Sequence, residues 1–462
     1  MTQQSPDIER LGALYEEATD QIQKDYFNFL RFKSISSEVE YKSEVLDCAK
    51  WLKNYLEEAQ FKVEFWEGNG HPVVFGENLD AGPDKPTILF YGHYDVQPVD
   101  PLNLWESPPF EPVLKDGNVY ARGAQDNKGQ AMYVISALKT LIQNNGKLPV
   151  NVKLCIEGEE ECGSFLLQEK LKLKKAELKA DYLAVVDLFV ASEDHPTIPL
   201  GFRGITTMTM EITGSNTDLH SGSHGGIVYN PNHALVEILA KLRGDSGKIT
   251  VPGFYEDVTK VDEAIRSKMP DDTNPENYEQ IFGAKPIGGE KAYNMLESAS
   301  MRPTLEINGL AGGYAGDGFK TVIPAKALAK ISCRLVPDQD PDKIWKQVTD
   351  YIKKIAPEGL SIDFPGHPEG GKPFRSDHNS FIVKSLARVY QEIAGVEPGY
   401  FLEGGSIPVI SNLVEAVGGE TVLMGWGMID DNMHAPNELF GMRRFKKGFL
   451  SIARLLEVIG QD

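Results

Sequence analysis

The chain has 462 residues, too many for one ordinary core, and its apolar content of 41% and charged content of 25% are those of a folded water-facing protein rather than a disordered one. A net charge of −20 argues against nucleic acid or an anionic membrane as the main partner and leaves carboxylates to spare for cations. MTQQSPDIER lacks the basic and apolar regions of a leader, no run is long enough to span a bilayer, and the four cysteines form no CxxC pair, so a cytoplasmic protein with free thiols is expected.

In chain order, apolar residues from Ile8 to Phe32 recur at helical spacing, and a second helix is expected over Ser43 to Gln60. Lys62 to Trp66 alternates as a strand and can pair with Val73 to Phe75 across the turn at Gly68 to Gly70. Thr87 to Tyr91 is a β-branched and aromatic run typical of a strand buried on both faces, which Gly92 is expected to break. His93 and Asp95 follow, at what would be the carboxyl edge of an open sheet, where ligands bind. An imidazole is a good metal ligand when a second group fixes its tautomer, and Asp95 is placed to do so; the plainer reading is a turn with a satisfied histidine.

A proline-rich loop around Trp105 leads to RGAQDNKG and then to a helix, Met132 to Ile142, apolar nearly all round. Asp126 sits just ahead of that helix, as a cap or as a ligand. Asn151 to Ile156 is the next buried strand and ends in the acid-rich run from Glu157 to Glu161, whose mutual repulsion a cation would relieve. Tyr182 to Val186 is a third such strand, followed at once by Asp187. Three strands of parallel type therefore deliver His93, Glu161 and Asp187 to the same end.

Past Arg203 the character changes. Ile205 to Ile212 alternates like a half-exposed antiparallel strand, with DLHSG and a helix from Pro231 to Leu242 after it. Residues 251–300 read as short helices and loops. Strands at Thr304 to Ile307, Lys330 to Leu335 and Leu360 to Phe364 and a helix from Pro341 to Ile355 complete an α+β unit. A helix from Asp377 to Ala394, a turn at Gly404 to Pro408, a strand at Thr421 to Met424, the His434 loop and a helix from Phe445 to Ile459 return to the first unit. The expected division is a catalytic domain in two parts, 1–203 and 373–462, with an inserted lid or dimerisation domain at 204–372. The fold class is α/β, a mixed and largely parallel sheet flanked by helices, plus the α+β insertion.

The motifs GHYDVQP, RGAQDNKG, EGEEECGS, YLAVVD, DLHSG, TVIP followed by CRLVP, EGGSIP and MHAPNE resemble, in this order and over nearly the whole chain, the M20 metallopeptidases, and among them the carnosinase-like dipeptidases. The resemblance implies two divalent ions, zinc first and manganese or cobalt otherwise. One would lie between His93 and Asp187, the other between Glu161 and His434, with Asp126 bridging and a cis peptide after it. It further implies Glu160 as general base acting on a bridging water, and Asp95 as the carboxylate behind His93. His220 would reach the site of a second subunit in a homodimer, Arg334 would clamp the substrate carboxylate, and Gly405 and Ser406 would face the same end. Three positions depart from the family pattern: Leu402 where arginine is common, Val186 where serine is common, and Cys162 where serine is common. The expected reaction is hydrolysis of short peptides with a free C-terminal carboxylate; an N-acyl amino acid deacylase or carboxypeptidase, and an inactive binding or scaffold relative, are the alternatives.

Overall fold

The computed structural model describes residues 5–269, 274–366, 369–405 and 408–461. Its centre is a six-stranded sheet in the order Lys62–Trp66, Val73–Asn78, Asn151–Glu157, Thr87–His93, Tyr182–Val186, Glu420–Met424. Only Val73–Asn78 runs against the other five, so the sheet is mixed and largely parallel. Alternate residues of each strand feed two cores: Ile88 and Phe90 face one hydrophobic cluster, Leu89 and Tyr91 the other. This is why the strands read as continuous apolar runs.

The first cluster is closed by the helices Pro6–Leu30, Lys42–Glu58, Lys128–Asn145, Phe381–Ala394 and Met442–Gly460; Phe165–Leu173 and Pro408–Val417 cover the opposite face. Phe445, fully buried, packs its ring against Tyr26, Tyr133 and Phe440 with centroids 5.2, 6.0 and 6.3 Å away, which ties both ends of the chain to the helix Lys128–Asn145.

Residues between these parts build a second sheet in the order Thr304–Gly312, Lys326–Leu335, Gly204–Thr213, Ser361–Asp363, with Glu369–Gly371 also paired to Gly204–Thr213. Gly204–Thr213 alternates strictly between buried and half-buried positions. The helices Pro231–Lys241 and Pro341–Ile355 cover its buried face and share a separate hydrophobic cluster with it. The chain enters and leaves this inserted α+β layer side by side, because Thr197–Phe202 pairs with Phe374–Arg375 and with Gly399–Glu403.

Two expectations need correction. Gly92 does not end its strand, which runs on to His93. A Cβ at Gly92 would lie 2.6 Å from Asn127 Oδ1, so this glycine makes room for a side chain rather than breaking the ladder. The helix expected from Asp377 starts at Phe381, because Ser380 caps Val383 N while the Asp377 carboxylate accepts from Asn379 N in a preceding turn.

Candidate metal centre

His93 closes the strand Thr87–His93, Asp187 follows Tyr182–Val186, and Glu160 and Glu161 form a short 3-10 turn just past Asn151–Glu157. Parallel alignment of the three strands brings these residues to one edge of the sheet. Asp126 approaches from the loop before Lys128–Asn145, and its side chain does not cap that helix. Instead Oδ1 of Asp126 lies 3.1 Å from His93 Nε2, and Oδ2 lies 2.9 Å from His434 Nε2. Asp187 Oδ2 is 3.7 Å from the same His93 nitrogen, and Glu161 Oε2 is 3.2 Å from the His434 nitrogen.

Two three-residue groups result, His93–Asp126–Asp187 and Asp126–Glu161–His434, each with its donor atoms within 4.8 Å of one another. They share one carboxylate, a pattern suited to two neighbouring divalent cations. The peptide bond after Asp126 is cis.

The supporting shell is dense. His93 Nδ1 lies 3.1 Å from the Asp95 carbonyl oxygen and 3.3 Å from its Oδ1, while Asp95 Oδ2 accepts from Ser36 Oγ and from Glu161 N. One carboxylate thereby orients the imidazole and the glutamate turn together. Gln97 donates to Glu161 Oε2 at 2.7 Å. Sequence reasoning missed Asn127, whose Oδ1 accepts from His93 N while its amide donates to Val186 O and Asp187 Oδ1. It also missed Glu438, which is fully buried and accepts from Gly123, Gln125 and Asp126 N–H groups. The only sequence signal for Asn127 was its place beside Asp126.

The electrostatics are those of acids crowded out of water. Burial pushes Glu160 well above the usual carboxylate range, Glu161 up to about 7 and Asp187 up to about 6, with neighbouring carboxylates adding to each shift. Asp126 moves the other way. Burial alone would raise it, but hydrogen bonds from His434 and His93 hold it below its ordinary value. Those bonds raise His434 to about 10, and His93 rises although its own burial opposes the charge. Imidazole and carboxylate donors in this crowding fit cations of the zinc type.

The remaining predicted residues lie elsewhere. His220 is exposed on a two-stranded ribbon paired with Val322, and its Nδ1 accepts from Gly222 N. Arg334 is on Lys326–Leu335, and its charge, after burial, helps lower the neighbouring Arg203 to about 10. Arg203 Nε donates to Gly404 O at 2.8 Å, which sets that guanidinium against the Gly404–Gly405 turn. The Gly405 amide donates to Glu403 Oε1. Ser406 lies outside the described residues. Leu402 is buried in the main hydrophobic cluster, so its side chain serves packing here. Val186 is likewise buried, and Cys162 is half-buried.

Residues 89–458 match the model of peptidase family M20/M25/M40. The Beta-Ala-His dipeptidase of Mus musculus is 32% identical over 396 residues, 83% of this chain and 80% of that protein. The Cys-Gly metallodipeptidase of Schizosaccharomyces pombe is 29% identical over 463 residues, 96% of each. Among solved structures, an M20 family metallo-carboxypeptidase from Sulfolobus solfataricus superposes with a TM-score of 0.80 at 31% identity, covering 96% of this chain and 99% of that one.

Proposed function

The chain belongs to peptidase family M20/M25/M40, and from that premise we propose that it is a dinuclear metallodipeptidase acting on short peptides with a free C-terminal carboxylate. The observation that carries the reading is the Asp126 carboxylate, which offers one oxygen to each of two ligand groups. His93, Asp126 and Asp187 would hold one ion, and Asp126, Glu161 and His434 the other. Zinc suits the mixed imidazole and carboxylate set, with manganese and cobalt as alternatives.

When bound, the ions supply Lewis-acid polarisation of the scissile carbonyl and a water acidic enough to attack near neutral pH. Glu160 would be the chain's own proton carrier, accepting a proton from the attacking water and handing it to the leaving amine, a role that its elevated proton affinity supports. Asp95 keeps the His93 ring in one orientation. Arg334 clamps the substrate carboxylate with its planar fork, and Gly405 is assigned to the same end; for Ser406 the sequence resemblance alone supports that role.

His220 has its described contacts in its own exposed ribbon, which supports a role in the site of a second copy, where it steadies the developing oxyanion. Exposed Val236, Ile287, Ile307 and Leu310 line one concavity of the inserted layer, with the edge strand Thr304–Gly312 beside it, and support a homodimer through that face. No described helix is long and apolar enough to cross a membrane, and the free cysteines favour the cytoplasm.

A panel of dipeptides, longer peptides and N-acyl amino acids, run beside metal analysis, tests the proposal. Two ions per chain with dipeptides preferred are expected. Preference for longer peptides or acylated amino acids would favour the carboxypeptidase or deacylase reading, for which the structural likeness to the Sulfolobus solfataricus carboxypeptidase speaks. Glu160→Ala is expected to keep its metal and lose roughly 100- to 10,000-fold in kcat. Loss of metal along with turnover would remove Glu160 from the role of base.

A further inference from the structure

Glu438 lies four positions beyond His434 and has no solvent exposure. All of its side-chain hydrogen bonds go to one short segment. Oε2 accepts from Arg122 Nη1 at 2.8 Å and Gly123 N at 2.9 Å; Oε1 accepts from Gln125 N at 2.9 Å and Asp126 N at 3.1 Å. Its own carbonyl accepts from Ala121 N at 3.1 Å. Arg122 in turn donates to Pro98 O at 3.0 Å and stacks over Trp105, which extends the tie to the loop after His93.

A nest of converging amides is an anion site, and here a side chain from the far end of the chain fills it. Stability alone is a poor reason for such an arrangement, since buried ion pairs are often matched by apolar packing. What it secures is position. It ties the backbone of Asp126, which both ligand groups share, to the loop that carries His434.

We propose that Glu438 is a positioning residue that holds the His434 loop in register with Asp126 and thereby sets the affinity of the two-ion centre. This rests on the metallopeptidase reading above. An amide cannot substitute for the carboxylate. Whichever way Gln is turned, its NH2 faces two N–H donors, so two of four bonds are lost without any change of shape.

The test is a Co2+ and Zn2+ titration of the full-length protein against a competing chelator, read by Co2+ absorption and by metal content, with kcat and KM measured in parallel. The wild type is expected to take two ions. Glu438→Gln should bind at least one of them 10- to 100-fold more weakly, with kcat at limiting metal falling and excess metal restoring it in part. Glu438→Asp, which keeps the charge on a shorter stem, should fall between. Val348→Ala, in the separate core of the inserted layer, should lower the unfolding midpoint and leave both affinities in place, separating position from stability.

A folded Glu438→Gln with wild-type affinities for both ions overturns the proposal. Should that variant fail to unfold cooperatively, Arg122→Met decides the matter: it keeps the three amide bonds and should weaken binding several-fold, and unchanged affinities there overturn the proposal equally. A wild type that binds fewer than two ions would instead defeat the metallopeptidase reading itself.

Discussion

Asp126 is the side chain on which the proposed centre turns, because among the described residues it alone belongs to both candidate ligand groups. Asp126→Ala should therefore cost both ions, whereas Asp187→Ala should spare the group containing His434; metal content after dialysis distinguishes the two. Residues delivered by strands were readable in the sequence, since a buried parallel strand announces its end by the loss of apolar character, as at His93, Glu161 and Asp187. His434 stands in a loop without periodicity and came only through the resemblance. Asn127 and Glu438 stayed hidden, because their work is hydrogen bonding to partners far away in the chain. The thiols give a prediction of their own. Burial pushes Cys48 up to about 11, Cys333 up to about 12 and Cys155 higher still, and half-buried Cys162 to about 11. At pH 8 these lie far on the protonated side, so a thiolate-directed reagent should label the native protein slowly and all four cysteines quickly in denaturant.

At the level of elements, the strand end Gly92–His93 and the loop Asp126–Asn127 are built to interlock. Gly92→Ala would press its methyl group on Asn127 Oδ1, displacing the amide that aligns His93 with Asp187. A loss of about 1–3 kcal/mol in stability is expected from the overpacking, with weaker metal binding beside it. Urea unfolding of the metal-free protein and a chelator titration would measure the two separately. The helix Met442–Gly460 is the other critical element, and Phe445→Ala should cost about 3–5 kcal/mol by leaving a cavity among the rings of Tyr26, Tyr133 and Phe440. Its amphipathic pattern made this helix plain in advance. The strand Thr197–Phe202 was not, because Pro199 and Gly201 lower the strand signal that its burial overrides.

On the scale of the whole molecule, the two layers keep separate cores and are joined where Thr197–Phe202 meets Phe374–Arg375 and Gly399–Glu403. The broad architecture was readable because hydrophobic periodicity changes at Arg203, from continuous runs to strict alternation. On the proposed dimer, the exposed apolar residues Ile307 and Leu310 lie on the pairing face, and they look like ordinary strand residues in sequence. Changing both to Lys should yield a monomer by light scattering. If His220 acts across the interface, that monomer should also lose roughly 100- to 1,000-fold in kcat. A fully active monomer would assign His220 to its own ribbon.

The His434–Asp126 contact spans 308 positions of chain, and this has a consequence for biosynthesis. On the proposed ligand assignment, a ribosome must add 308 residues after Asp126 before the ligand set of the second ion can be complete. Prematurely terminated polypeptides ending before His434 would be limited to the His93–Asp187 half of the centre, so loading with a full metal complement would mark molecules whose translation ran past that point.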